Sequence, residues 1–350
     1  MLTLIYFILI LGLIVLVHEF GHFIFSKIFG VYVYEFSIGM GPRIFGTKKK
    51  KGKTVYNVRM LPIGGFVQLA GEDPTEEDPE VPKGAFLYNK PVWQSFIIMA
   101  AGVFNNFILA LLILFFIGIF SGSVDMRPVI TNLDQTLPMY QAGIREGDKF
   151  VSINGNNVST IDDARVFLAL ENDGSATKIV VERDGQNYTY EVTPVEVEDP
   201  ETKESSLKYG ITFERQYLHG FGNAVKYTFT QFGSYFKQII LTFKYLFTGR
   251  LGFNNLSGPV GIYSVVGEVA KENALVNLCS LTALLSVNVG FLNILPFPAF
   301  DGGRILFLII EKIKGSPVSP KIENTVNTVG FALLMLLMVA VTFNDIIKLF

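Results

Sequence analysis

The sequence is poor in cysteine, in histidine and in charged residues. Cys279 is the single cysteine among 350 residues, so the chain can form neither an internal disulfide nor a thiolate zinc site. Charged residues make up only 17%, and a formal net charge of −2 gives no basis for binding nucleic acid. Hydrophobic residues make up 50% of the whole chain, and its mean hydropathy is +0.40. This composition is typical of a membrane protein with room for one soluble domain.

Long uncharged segments dominate what the sequence does contain. Four are long and apolar enough to cross a bilayer: residues 2–26, Phe96–Phe120, Ala274–Phe300 and about Thr325–Asn344. The first lacks the basic start and the small-residue cleavage site of a signal peptide, so we expect it to be retained as a span. We therefore predict a polytopic α-helical membrane protein with four transmembrane helices.

Lysine and arginine in the short loops predict the orientation of these spans. Lys27 and the run Lys48–Lys51 follow the first span, and Arg304 and Lys312 lie between the third and the fourth. Loops rich in Lys and Arg are typically cytoplasmic. The long stretch between the second and third spans should then be extracytoplasmic, with both termini outside.

The stretch 221–249 is aromatic and apolar, but Lys226, Lys237 and Lys244 interrupt it. We interpret it as an amphipathic helix that lies at the outer membrane interface rather than as a fifth span. A fifth span would also move the end of the third span away from the cytoplasmic side.

The predicted outer region, residues 122–196, has the pattern of a small β-rich domain. Its candidate strands are Pro128–Leu133, Lys149–Ile153, Thr177–Arg183 and Tyr188–Thr193, and Ile161–Leu170 is a candidate helix. The segment Ala142–Gly155 resembles the central signature of bacterial PDZ domains, which bind extended peptides along a sheet edge. The expected divisions of the chain are residues 1–121, 122–196, a linker with the interfacial helix at 197–272, and 273–350.

The first span contains His18, Glu19 and His22 as an H-E-x-x-H motif. On a helix both imidazoles lie on one face, where they can hold one Zn²⁺ while the glutamate reaches a metal-bound water. A carboxylate at membrane depth is costly and is usually functional. The alternative is a helix whose polar groups are paired with neighbouring helices.

A catalytic zinc needs a third protein ligand and an open position for water. His219 belongs to the predicted outer region and Glu35 to a polar cytoplasmic loop, so both are poor candidates. Asp301 follows an apolar segment broken by Pro296 and Pro298, and it lies near the same membrane face as the histidines. Broken backbone at membrane depth is tolerated where it lines a watery cavity, which favours Asp301 as the third ligand.

H-E-F-G-H in the first span and N-x-x-P-x-P-x-x-D-G at Asn293–Gly302 resemble the site-2 protease family of intramembrane zinc metalloproteases. One PDZ-like domain between spans two and three is similar to the bacterial regulator-of-sigma branch, and Gly102–Asn106 fits its G-x-x-x-N pattern. The resemblance implies His18, His22 and Asp301 as zinc ligands and Glu19 as the general base.

Two further sets of residues are implied by the resemblance to contact the substrate. Asn293 would bond the substrate backbone or the developing oxyanion, or else only pack between helices. The strand-like segment 54–69 resembles the family's membrane re-entrant β-loop, in which Gly65, Phe66 and Val67 would pair with the substrate as an added strand. The alternative for this segment is an ordinary cytoplasmic hairpin.

The expected function is hydrolysis of a peptide bond within or near the membrane span of single-span proteins, in the bacterial cell membrane. Resemblance implies anti-sigma factors and remnant signal peptides as substrates, and a PDZ-like domain that filters them by size or binds a newly exposed end. An inactive PDZ scaffold is one alternative. A metal transporter is another, although the repeated halves typical of transporters are absent. The sequence does not indicate an oligomeric state.

Overall fold

The computed structural model describes residues 2–47, 54–73, 75, 77–172, 174–198, 205–214, 216–252, 256–271 and 273–348. The run Lys48–Lys51, which contributes to the predicted orientation, lies outside these ranges. The chain divides into two compact units. One unit combines Met1–Ile113 with Phe253–Phe350, and the other is Leu114–Gly252. We refer to them as the helical unit and the inserted unit.

The helices of the described residues lie in both units. They are α1 (Leu2–Ile28), α2 (Val92–Phe120), α3 (Pro138–Gln141), α4 (Ile161–Leu170), α5 (Phe221–Phe247), α6 (Pro259–Val269), α7 (Ala274–Ile294), α8 (Asp301–Lys314) and α9 (Pro320–Ile347). Two short 3₁₀ turns, Lys83–Ala85 and Leu87–Asn89, precede α2.

The strands form small antiparallel sheets. They are β1 (Val33–Gly46), β2 (Val55–Leu69), β3 (Ser123–Val124), β4 (Asn132–Leu133), β5 (Lys149–Ile153), β6 (Asn156–Asn157), β7 (Thr177–Arg183), β8 (Gln186–Val192), β9 (Val195–Glu198), β10 (Ser205–Lys208), β11 (Ile211–Thr212) and β12 (Tyr217–Leu218).

Four helices of the described residues, α1, α2, α7 and α9, are long and apolar enough to cross a membrane. This confirms the predicted multi-pass helical architecture. Helix α7, the third predicted span, ends at Ile294 rather than at the expected Phe300, because Pro296 and Pro298 cannot donate the amide hydrogen bonds that would continue it. Helix α9, the fourth predicted span, begins at Pro320, before the expected Thr325, since proline suits the first turn of a helix.

In the helical unit, α1 packs against the hairpin of β1 and β2. The helix and the hairpin approach closely at Gly12, where a Cβ would lie 2.7 Å from the carbonyl oxygen of Pro62. The strands pair with an irregular register, and Phe36 pairs with Val67 near the base of the hairpin. The packing of the hairpin on α1 brings the second half of β2 beside the histidine-bearing part of the helix.

The tip of this hairpin exposes apolar side chains. Ile44, Phe45 and Met60 are 61–63% exposed, and Met40 and Leu61 are also exposed. Exposed apolar patches of this kind mark contacts with a partner or a membrane.

In the inserted unit, a four-stranded sheet of order β6-β5-β7-β8 packs against α4. The predicted strands Lys149–Ile153 and Thr177–Arg183 and the predicted helix Ile161–Leu170 are confirmed residue for residue. Local signals explain this accuracy. The β5–β6 turn has Asn154 and Gly155 at positive φ, which suits a two-residue hairpin turn, and Thr160 caps α4 by accepting from the Asp163 amide.

The inserted unit of the structure extends past residue 196, where the sequence predicts a boundary. Strand β11 pairs with β4 and strand β12 pairs with β3, so residues 211–218 return to the start of the inserted unit. Helix α5 completes its core through Leu241 and Tyr245. The expected first strand, Pro128–Leu133, is reduced to β4 and an isolated bridge between Val129 and Lys149. These pairings join distant segments, for which the sequence carries no local pattern.

Candidate metal centre

The two motif histidines lie on one buried face of α1, as their four-residue spacing requires. His18 is 7% and His22 is 6% exposed, and their Nε2 atoms are 3.2 Å apart. Close packing of α2 buries this face. A Cβ at Gly21 of α1 would lie 2.4 Å from the carbonyl oxygen of Ala101, so only glycine allows the two helices to approach this closely.

Asp301 reaches the histidines from the first turn of α8. The broken segment before it includes Ala299 in the left-handed region, at φ 74°. Gly302 follows directly, and a Cβ there would lie 2.1 Å from the carbonyl oxygen of Leu295. The D-G sequence therefore lets α8 start tightly against the end of α7. Asp301 Oδ2 is 3.0 Å from His18 Nε2 and 3.3 Å from His22 Nε2.

These three atoms fit a metal ion. Four ligand atoms at about 2.0–2.1 Å from a tetrahedral Zn²⁺ are about 3.3–3.4 Å from one another, close to the observed 3.0, 3.2 and 3.3 Å. Asp301 Oδ2 is buried and, within the described residues, has no polar partner except the two imidazoles. Two imidazoles and a carboxylate also leave one position open, as catalytic zinc sites do.

The electrostatics keep Asp301 ionised. Burial alone would raise the pKa of this carboxyl group, but hydrogen bonds from His18 and His22 outweigh it and hold the pKa below its ordinary value. A metal ligand must be deprotonated, and the carboxylate meets that requirement.

Glu19 lies beside the three ligand candidates. Its Oε2 accepts a hydrogen bond of 3.1 Å from the backbone N–H of Val67 on β2. Glu19 also lines a cavity of about 310 Å³. The cavity is lined by His18, Glu19, His22, Phe66, Val67, Leu69, Glu72, Met99, Ala299, Phe300, Asp301, Arg304 and Asn327. A polar cavity therefore gives a water molecule or a peptide access to the candidate metal centre.

The predicted substrate-contacting residues differ in their positions. Phe66 and Val67 line the cavity, and the guanidinium of Arg59 lies 5.0 Å from the centre of the Phe66 ring. Gly65 lies next to them on β2 but is not in the lining. Asn293 is also outside the lining, on the last turn of α7, where its Nδ2 donates to the carbonyl oxygen of Val289 at 3.0 Å.

The two rejected ligand candidates have other environments. Glu35 forms an ion pair with Arg59 at 2.6 Å, and Ser37 also donates to it. Hydrogen bonds from Ser37, Asn57 and Arg59 outweigh the effect of burial and lower the pKa of Glu35. His219 belongs to the inserted unit and is exposed.

Sequence reasoning missed the contribution of α2 to this site. The carbonyl oxygen of Ile98 lies 2.7 Å from His22 Nδ1, and Asn106 Nδ2 lies 3.3 Å from His18 Nδ1. Between them, Gly102 provides space, because a Cβ there would lie 2.4 Å from His22 Nε2. The G-x-x-x-N pattern was a visible signal, since it spaces Gly102 and Asn106 by one helical turn.

A second missed interaction is an ion pair at the cavity wall. Arg304, one turn after Asp301 on α8, donates to Glu72 at 2.9 Å. The two residues are 232 positions apart in the sequence. Because no local pattern links them, the sequence alone could not pair them.

His18, Glu19 and His22 lie on a helix that is apolar enough to span a bilayer, and Asp301 of α8 approaches the two histidines. This arrangement fits the class of membrane-embedded metalloproteases. The model of peptidase family M50 matches residues 6–337, and the chain belongs to this family.

Bacterial relatives agree with this assignment. The chain is 34% identical to the regulator of sigma-W protease RasP of Bacillus subtilis, over 99% of each chain. It is equally similar to the zinc metalloprotease RasP of Bacillus licheniformis, again over 99% of each chain. It is 38% identical, over 95% of each chain, to a Clostridium perfringens protein named among the zinc metalloproteases. The predicted site-2 protease family, metalloprotease activity and Zn²⁺ cofactor are therefore confirmed.

Proposed function

We propose that this enzyme hydrolyses a peptide bond within or next to the membrane span of single-span proteins. In this proposal His18, His22 and Asp301 hold the zinc ion and Glu19 is the general base. The observation that carries it is the triangle of His18 Nε2, His22 Nε2 and Asp301 Oδ2, beside Glu19 on an apolar helix.

The chemistry follows from the groups around the cavity. A bound Zn²⁺ would lower the pKa of its water towards about 7 and polarise the scissile carbonyl. Glu19 takes the proton of the attacking water and returns it to the leaving amine. Before a substrate binds, the Glu19 carboxylate accepts a hydrogen bond from the N–H of Val67.

A transmembrane substrate must unwind locally, because the carbonyl groups of an intact helix are hydrogen-bonded and shielded. We propose that β2 provides new backbone partners at Gly65, Phe66 and Val67, so that the unwound substrate adds as a strand. The bond between Val67 N–H and Glu19 supports this proposal, since it brings the strand edge next to the general base. A role for Asn293 in holding the substrate would require its amide to leave the Val289 carbonyl.

We propose that the enzyme is a multi-pass protein of the bacterial cell membrane, with the metal centre near the cytoplasmic face and the inserted unit outside. The basic residues Lys27, Arg304 and Lys312 support this orientation. Anti-sigma factors and remnant signal peptides are the proposed substrate classes. One relative is named as the regulator of sigma-W protease, which supports the first class.

Within the inserted unit we propose a PDZ-like domain that acts as a size filter or binds a newly exposed chain end. The four-stranded sheet packed on α4, together with the separate pair of β4 and β11, supports a peptide-binding fold of this kind.

We also propose that α5 rests on the outer membrane surface. Its polar side faces α4 within the inserted unit, where Gln231 donates to Asp162 at 2.8 Å and Ser234 donates to Asp163 at 2.5 Å. Apolar residues recur on another face at intervals of three and four, as in a surface-bound helix. They are Val225, Phe229, Phe232, Phe236, Ile240, Phe243 and Phe247. Lys226 and Lys244 are exposed and could reach lipid headgroups.

The proposed activity is tested with the purified full chain in detergent and a model single-span substrate. Replacing Glu19 by Gln should lower the cleavage rate by about 10²–10⁴-fold, as expected for loss of a general base, while zinc stays bound. Glu268→Gln, which changes an exposed carboxylate on α6, is the matched control and should cleave at the wild-type rate. Mass spectrometry of the products should locate the cut within or beside the substrate's span.

Three outcomes would contradict the proposal. Equal cleavage by wild type and Glu19→Gln would mean that another base or a contaminating protease is responsible. Cleavage that persists after zinc is removed by a chelator would exclude the metal centre. A wild-type chain that binds zinc stoichiometrically but cuts no single-span substrate would favour the scaffold alternative.

A further inference from the structure

The imidazoles of the candidate metal centre contact α2 through the nitrogens that face away from Asp301. His22 Nδ1 lies 2.7 Å from the carbonyl oxygen of Ile98, and His18 Nδ1 lies 3.3 Å from Asn106 Nδ2. Ile98, Gly102 and Asn106 are four residues apart and share one face of α2. This face offers a carbonyl to one ring, a space at the glycine, and a carboxamide to the other ring.

A histidine that binds a metal through Nε2 carries its hydrogen on Nδ1 and must donate it there. Ile98 satisfies this requirement for His22, because a backbone carbonyl can only accept. The orientation of Asn106 in this structure does not provide such an acceptor for His18. It directs a donor, Nδ2, at Nδ1, which suits only the tautomer whose hydrogen is on Nε2, where the metal would bind.

Asn106 has a second end that suits the metal-binding tautomer. The residue is fully buried, and its Oδ1 has no hydrogen-bond partner within the described residues. Rotating the carboxamide by half a turn exchanges Nδ2 and Oδ1 with almost no change in volume. Oδ1 then accepts from His18 Nδ1, as the carbonyl of Ile98 does from His22.

We propose that Asn106 is a positioning residue that sets the tautomer of His18. With Oδ1 at Nδ1–H, the ring presents the Nε2 lone pair to the metal; with Nδ2 there, it does not. The bond from Ser286 Oγ to the Asn106 carbonyl, at 2.8 Å, anchors the backbone while the side chain turns. This inference rests on the ligand set of the proposed function.

The test measures zinc affinity of the full chain in detergent by competition with a chromophoric chelator. Asn106→Leu keeps the approximate volume but removes the acceptor, and should weaken zinc binding about 10–100-fold, as loss of a partner to a ligating histidine typically does. Asn106→Asp keeps an acceptor and should bind zinc within threefold of wild type or more tightly. The absorption spectrum of the Co²⁺-loaded chain provides a second readout of the ligand geometry.

Asn105→Leu is the matched control. Its amide also reaches α1, donating to the carbonyl oxygen of Val17 at 3.1 Å, but it does not contact a ligand ring. We expect its zinc affinity to stay within threefold of wild type.

The outcomes separate this inference from the proposed function. Unchanged zinc affinity and an unchanged Co²⁺ spectrum in Asn106→Leu would overturn the inference alone. Equal losses in Asn105→Leu and Asn106→Leu would also overturn it, since they would indicate helix packing rather than tautomer control. A wild-type chain that binds no zinc would overturn the proposed ligand set and this inference together.

Discussion

A Cβ at Gly102 would approach both motif histidines closely, so replacing this glycine by alanine should destroy the proposed metal centre. A Cβ at this position would lie 2.4 Å from His22 Nε2, 2.8 Å from His18 Nε2 and 2.7 Å from His18 Cε1. Ordinary contacts begin at 3.4 Å, so the rings would have to move by about 1 Å. Metal–ligand distances tolerate about 0.2 Å, and a misplacement of 1 Å can lower a reaction rate about 10²-fold.

We expect Gly102→Ala to lose at least about 10²-fold in cleavage rate, together with most of its zinc affinity. Alanine favours a helix by about 1 kcal/mol over glycine, so the loss cannot be attributed to a weakened α2. Gly233→Ala is the matched control, because a Cβ on that helical glycine of α5 meets no atom within 4 Å. Wild-type zinc affinity and cleavage in Gly102→Ala would refute the close approach of α2 to the histidines.

Two further predictions concern stability. Asp345 is buried on α9 and accepts hydrogen bonds from the amides of Gly258 and Gly261 at the start of α6, both at 2.8 Å. Asp345→Ala should lower the thermal unfolding midpoint of the detergent-solubilised chain, because leaving these amides without an acceptor costs about 2–3 kcal/mol. An unchanged midpoint would contradict this interaction. Burial raises the pKa of Tyr235 in α5 from 10.0 to about 12. Tyr235 therefore ionises at lower pH in the unfolded chain than in the folded one. The contribution of neutral Tyr235 to folding stability is complete below pH 10 and is lost as the pH rises to about 12. Tyr235→Phe should lose less stability than wild type over that range in denaturant titrations, and identical pH profiles would refute the raised pKa of Tyr235.

Local chemistry explains which parts of the site the sequence could predict. His18, Glu19 and His22 are close in sequence, and few residue types can bind zinc, so their spacing within an apolar span indicates the site. Asp301 could be added because it ends a long uncharged segment that two prolines break, on the same predicted side of the membrane as the histidines. The turns at Asn154–Gly155 and Asp184–Gly185 likewise specify their hairpins locally.

Contacts between distant segments account for what the sequence could not predict. Asn106 is 88 positions from His18, and Arg304 is 232 positions from Glu72. The extent of the inserted unit depends on β11 and β12, which are only two residues long and pair with strands near its start. Strands of that length have no recognisable period, so the region after residue 196 resembles a linker in sequence.

The two faces of the histidine pair differ in how visible they are in a sequence. The metal-facing side needs particular side chains, and those residues form a motif. The α2 side needs an acceptor from Ile98, which any residue could supply from its backbone, and empty space at Gly102. Among the described residues of α2, Asn106 is the one whose side chain bonds a ring, and in our proposal its role depends on which of its two ends meets His18. Because both rings rest on a single helix face, a change at α2 should alter zinc binding without replacing any ligand.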